Sequence, residues 1–337
     1  MQFRWRAFAR ILLPAAVILL LGLIAGCDSG DPANTFANDG EVSRRIRDLF
    51  IPILWIAMII FVLVEGTLLF FLFKFRERRG APLPKQLHGN TRLELAWTIA
   101  PTLLMAGVAV PTLITLFDLS HVPDNAMEVT ITGNQWWWRM DYPGQQLVTA
   151  NELHIPTGRA VKVTLESNDV IHSFWVPRLA GKQDVVPGHT RTMWLKADEV
   201  GTYFGQCAEY CGLSHALMRL HVVAQSPQEF DQWVADQKRP AAAPTATLAQ
   251  QGAQKFSTTC AVCHTIAGTN AAGEVGPNLT HFASRGTLAS GIMDRTDENL
   301  AKWLKDPPAI KPGSRMPSYN LTDQEINGLV AYLQSLK

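Results

Sequence analysis

The sequence has little charge. Asp, Glu, Lys and Arg make up 18% of its 337 residues, and the net charge is +1. A nucleic-acid-binding chain would carry a basic surplus, and a disordered one would pair low hydrophobicity with high net charge. A 47% hydrophobic content excludes the second and suggests that part of the chain sits in lipid. Cysteine is also scarce, at five residues, so placement matters more than number. Histidine is missing from both long apolar runs, 50–73 and 95–117. Those segments therefore hold no haem or copper through imidazole, and they serve to anchor or pack.

Three apolar stretches are present. The first, 11–26, follows Arg4, Arg6 and Arg10 and ends in Leu23-Ile24-Ala25-Gly26-Cys27. A basic flank, a short apolar core and small residues before a cysteine read as a lipoprotein-type signal peptide over 1–26, with Cys27 the lipidated residue; the competing reading is a first transmembrane helix with an incidental cysteine, for which 16 residues are short. Runs 50–73 and 95–117 are each long enough to span a hydrocarbon core of about 30 Å. Between them lie Lys74, Arg76, Arg78, Arg79, Lys85 and Arg92. That cluster places the loop on the cytoplasmic side, and everything after residue 118 outside.

From 127 to 223 the pattern changes to short Val-, Thr-, Ile- and Trp-rich runs: 128–132, 160–166, 190–195 and 220–223. Gly, Pro and Asn separate them, as in an antiparallel β-sandwich or barrel. A Pro/Ala-rich stretch, 239–247, reads as a linker. Beyond it helices are expected at 247–257, 298–305 and 323–336, so the last region, 248–337, is a small all-α domain. The expected division is 27–120 for the N-terminal segment and hairpin, 121–226 for the β domain and 227–247 for a helix end and linker.

Cys207, Cys211, His215 and Met218 fall within 12 residues, and His172 lies 35 residues upstream. Two thiolates, two imidazoles and a thioether suit copper better than a hard cation. A Cys207–Cys211 disulfide and a tetrahedral zinc site are the competing readings. A single blue copper needs one thiolate, whereas two sulfurs bridging two coppers use every ligand. Each copper would then take His172 or His215, with Met218 weakly on one side and the Glu209 carbonyl on the other.

Cys207-x-Glu209-x-Cys211-x₃-His215-x₂-Met218, preceded by His172-Ser173-Phe174, resembles the dinuclear copper (CuA) domain of cytochrome c oxidase subunit II. So does the hairpin carrying Glu94-Leu95-Ala96-Trp97-Thr98-Ile99-Ala100-Pro101. The resemblance covers about 45–225 and implies a cupredoxin-like barrel. It also implies that the Glu209 side chain reaches a magnesium or manganese ion shared with subunit I. Glu94 would stand at the entrance of a proton path into that subunit; on its own it reads as a charged helix end. In Gly133-Asn134-Gln135-Trp136-Trp137-Trp138, Trp136 is by resemblance the residue that receives electrons. The competing reading is a strand on which Trp136 and Trp138 fill a core or membrane-facing surface.

Cys260-Ala261-Val262-Cys263-His264 is the attachment sequence of a c-type haem, with two thioethers and His264 as an axial ligand. Met316 is the expected sixth ligand, with Met293 and His281 as competitors. With Gly276-Pro277-Asn278-Leu279 these residues resemble class I cytochrome c over 248–337. That resemblance implies that the Pro277 carbonyl accepts a hydrogen bond from His264.

The architecture resembles the subunit II of bacterial haem–copper oxidases that carries a fused cytochrome c. The function implied is to pass electrons from an external donor, such as a cytochrome c or a small copper or iron–sulfur protein, through haem c and CuA. They continue to subunit I, where oxygen becomes water with proton pumping; subunit III is a further expected partner. The expected site is the bacterial inner membrane, with the metal domains periplasmic. Two alternatives stay open: the electron-accepting subunit of a CuA-containing nitric oxide reductase, and a free-standing membrane-anchored shuttle.

Overall fold

The computed structural model describes residues 31–77, 80, 86 and 88–337. The signal-peptide segment and Cys27 lie outside the described residues. Two long helices come first, α1 (Glu41–Lys74) and α2 (Thr91–Ser120), and both are apolar enough to cross a membrane. At 1.5 Å per residue each exceeds a 30 Å hydrocarbon core. No residue of α2 is buried within the chain, so its apolar surface is left for surroundings of another kind. Asn90 caps α2 by accepting from the Arg92 and Leu93 amides, satisfying N–H groups that have no partner inside the helix.

Helix α1 begins nine residues before the expected apolar run. Hydropathy misses this turn because it is polar, and it is built by tertiary contacts instead. Ser43 Oγ donates to the Arg178 carbonyl at 2.8 Å and Lys196 Nζ to Glu41 at 3.1 Å. Arg44 pairs with Asp198, and Arg178 with Asp39.

The β module has two five-stranded sheets. One takes the order β3-β2-β1-β5-β8, with β1 Met127–Asn134, β2 Trp137–Tyr142, β3 Leu147–Ala150, β5 Val161–Ser167 and β8 Arg191–Leu195. The other takes β4-β10-β9-β6-β7, with β4 Glu152–Pro156, β6 His172–Trp175, β7 Gln183–Val185, β9 Gly201–Cys207 and β10 Arg219–Gln225. Pairs β1/β5 and β4/β10 run parallel and the rest antiparallel. Alternation directs Leu220, Val222 and Ala224 of β10 inward, toward Ile131, Trp138, Phe174 and Leu153. This is a cupredoxin-like sandwich, as expected. Helix α3 (Pro227–Gln237) starts with a Ser226/Glu229 capping box and stacks Trp233 on His154 at 4.3 Å.

Three of the remaining helices match the expected positions: α4 (Thr247–Thr259), α5 (Asp297–Lys305) and α7 (Asp323–Ser335). A short α6 (Pro307–Ile310) and a two-stranded ribbon, β11 (Thr287–Leu288) with β12 (Met293–Asp294), complete the module. Helix α4 crosses α7, where Phe256 meets Tyr332 edge-on at 5.7 Å and Lys255 pairs with Glu325 at 2.8 Å. The ribbon was not legible from pattern, because two residues per strand give no periodicity.

The linker does not hang free. Ala241 N–H donates to the Ala267 carbonyl at 3.0 Å, and His281 Nε2 faces the carbonyls of Gln237 and Arg239 at 3.1 and 2.9 Å. The helical module packs on the β module. Glu152 of β4, buried, accepts from the Thr287 amide at 2.8 Å, the Thr287 hydroxyl at 2.7 Å and the Gly286 amide at 3.2 Å.

Candidate metal centres and the seam between them

The paired-thiol site lies where β9 ends and a tight loop returns to β10. Cys207 is the last residue of β9, His172 the first of β6, and His215 opens a short 3₁₀ turn that Met218 closes. The two Sγ atoms are 3.8 Å apart, a non-bonded separation. Nδ1 of His172 is 3.9 Å from Cys207 Sγ, and Nδ1 of His215 is 3.7 Å from Cys211 Sγ. Met218 Sδ lies 3.9 Å from Cys211 Sγ, and the Glu209 carbonyl 3.2 Å from Cys207 Sγ. One imidazole thus stands beside each thiol, with the thioether and the carbonyl toward opposite thiols. The ligand atoms of His172, Cys207 and Cys211 lie within 4.8 Å of one another. The donor set is soft and convergent, so the residues fit copper.

The two thiols share one proton between them. The Cys211 thiol hydrogen-bonds Cys207 and pulls its pKa far down, and the same pairing pushes that of Cys211 up. Burial disfavours charge on His172, but its bonds to Asp169 and Cys207 outweigh that and raise its pKa. Nε2 of His172 meets Asp169 Oδ1 at 2.8 Å. That bond fixes the ring and leaves Nδ1 toward the sulfurs. Asp169 was not picked out in the sequence, although its position three residues before His172 is the available signal.

The second site is a cleft of about 1440 Å³, counting its open mouth, lined by Cys260, Cys263, His264 and Met316 among apolar residues. Neither Met293 nor His281 lines it, and His281 is committed to backbone carbonyls. Nδ1 of His264 faces the Pro277 carbonyl at 2.8 Å, leaving Nε2 to face the cleft. A Cβ on Gly276 would come within 2.5 Å of the His264 ring, so only glycine leaves room for the imidazole. These features fit a covalent haem.

The seam between the sites is tryptophan-rich. Trp136 precedes β2 rather than lying in it, which corrects the expectation of one strand face shared with Trp138. The chain turns at Gln135-Trp136, so the two rings have different neighbours, although both are buried in the same core. Trp138 is wholly buried beside His172 and Phe174. Trp136 instead lines the haem cleft and donates Nε1 to the Cys211 carbonyl at 3.1 Å. Gln135 Nε2 donates to the same carbonyl at 2.8 Å. Glu94 lies in the first turn of α2, exposed and far from both sites in sequence.

Apolar anchoring helices, a β module with paired thiols and a cytochrome-like module together define a membrane-anchored electron-transfer protein. Family models match over 41–115 (cytochrome c oxidase subunit II, transmembrane domain), 143–225 (its periplasmic domain) and 249–337 (cytochrome c). The chain is 38% identical to cytochrome c oxidase subunit 2 of Alkalihalophilus pseudofirmus, over 99% of this chain and 98% of that one. It is 34% identical to the Bacillus subtilis protein of that name, again over 99% and 98%. Among solved structures, the periplasmic domain of subunit II of cytochrome oxidase from Bradyrhizobium japonicum is 30% identical, with a TM-score of 0.34, covering 35% of this chain and 97% of that one. The chain belongs to the cytochrome c oxidase subunit II family, in a form that carries a C-terminal cytochrome c domain.

Proposed function

We propose that this chain accepts electrons for a respiratory oxidase, taking them from an external donor protein through a covalent haem c and a dinuclear copper (CuA) centre to subunit I, where oxygen is reduced to water with proton pumping. When bound, the haem and the copper pair would supply one-electron carriers that make and break no substrate bonds.

The observation that carries this reading is the shared position of Trp136. Its ring lines the cleft of Cys260, Cys263, His264 and Met316, and its Nε1 is bonded to the carbonyl of Cys211. The chain's own residues do four things. Cys260 and Cys263 would tether the haem, and His264 and Met316 would hold its iron. Cys207 and Cys211, with His172, His215, Met218 and the Glu209 carbonyl, would hold the coppers. Asp169 orients His172. Trp136 and Gln135 close the space between the two sites, shortening the distance an electron must cross. The Glu209 side chain as a magnesium or manganese ligand, Glu94 at a proton path and Cys27 as a lipid anchor complete the proposal, with the metal modules on the periplasmic face of the inner membrane.

The test is metal and haem analysis of the full chain with spectroscopy. Two coppers and one covalent haem per chain are expected, and Cys207→Ser or Cys211→Ser should abolish the paired-copper spectrum and leave the haem. A single isolated copper, or zinc, would overturn the reading. Purification in mild detergent should retain haem-bearing membrane subunits and oxygen uptake. Nitric oxide turnover, or recovery of the chain alone, would favour the alternatives.

A further inference from the structure

Lys311 is a lysine in an unusual place. It ends the α6 turn of the cytochrome module, yet only 4% of it is exposed. Its Nζ donates to the carbonyl of Trp136 in the other module at 2.5 Å and to that of Ala289 at 3.3 Å. Ser290 Oγ donates to the same Trp136 carbonyl at 2.8 Å. The indole is held as well: a Cβ on Gly313 would come within 2.7 Å of the Trp136 ring, so glycine lets this loop lie flat against it. Burying an amine is costly. An apolar side chain would fill this space without that cost but could not reach a carbonyl across the seam.

We propose that Lys311 is a positioning residue for electron transfer between the modules: with Ser290 it grips the Trp136 carbonyl and so sets the indole between the haem cleft and Cys211. The cytochrome module thereby supplies the clamp on the residue that receives its electrons. The backbone clamp closes only when the modules are seated, whereas the Nε1 bond to the Cys211 carbonyl lies within the β module. The proposal rests on Trp136 as the crossing point, and the test separates the two.

The experiment uses the full chain in detergent, loaded with copper and haem, in four forms: wild type, Lys311→Met, Trp136→Phe and the double variant. Two quantities are read: amide exchange in segments 135–138 and 287–291, and the rate of haem oxidation by the copper centre after pulsed reduction. Loss of a buried hydrogen bond across the seam should speed exchange in both segments of Lys311→Met by about tenfold. It should also slow the transfer, with the haem and paired-copper spectra unchanged.

In the double variant Lys311→Met should add no slowing beyond that of Trp136→Phe, because both act through one ring. Multiplied slowing would make Lys311 a general support of the seam and overturn the proposal, as would wild-type exchange and rate in Lys311→Met. If Trp136→Phe alone leaves the rate unchanged, the crossing-point reading fails, whatever Lys311 does. Ser290→Ala decides the matter if Lys311→Met does not load: faster exchange across 135–138 supports the clamp, and unchanged exchange overturns it.

Discussion

Nε2 of His172 and Oδ1 of Asp169 lie 2.8 Å apart, which turns Nδ1 of the same ring toward the Cys207 sulfur. Asp169 Oδ2 also accepts the Gln135 amide at 2.7 Å. One carboxylate thus fixes both a candidate copper ligand and the residue before Trp136. Asp169→Asn should lower copper affinity by about 10–100-fold, as loss of an orienting outer hydrogen bond does at metal sites. Competition against a copper chelator measures it, with the haem content unchanged.

Glu152 carries much of the polar seam. Its carboxylate accepts three hydrogen bonds from Gly286 and Thr287 while nearly fully buried. Hydrogen bonds to a charged group contribute about 1.5–3 kcal/mol, so Glu152→Ala should loosen the cytochrome module by at least one such bond. Faster proteolysis of the linker 238–246, with the β module still folded, is the expected outcome.

Burial pushes the Lys311 ammonium down from 10.5 to about 7. Between these values the unfolded chain binds a proton that the folded chain does not. Stability therefore rises with pH across about 7 to 10.5, by at most about 1.4 kcal/mol per unit, and this contribution is flat below and above. Denaturant unfolding at pH 7, 8 and 9 should show the slope in wild type and a shallower one in Lys311→Met.

Met316 shares the cleft with His264, whereas Met293 and His281 do not line it. Met316→Ala should leave the haem covalently attached through Cys260 and Cys263 while removing the thioether ligand and lowering the reduction potential. Absorption spectra and a redox titration check this, and the same loss in Met293→Ala instead would reassign the ligand.

Much of the architecture was legible in the chain because it rests on local pattern. Apolar runs long enough for a bilayer, alternation over 219–225 and an apolar stripe at Ile326, Val330 and Leu333 each mark their own element. Ligand spacings were legible for the same reason. Cys260 and Cys263 have the spacing that attachment to one porphyrin edge would require, and Cys207 to Met218 fit within one loop. What stayed hidden depends on segments far apart in sequence. The polar first turns of α1 are helical because Arg178, Lys196 and Asp198 meet them. Trp136 and Trp138, two residues apart, take different neighbours because the first sits in the turn before β2 and the second within the strand. A lysine at position 311 reads as surface until the fold closes Trp136 over it, 175 residues away. Residue chemistry and spacing picked out the candidate ligands, since those are short-range constraints; only packing across the seam decided which side chains lie between the two sites.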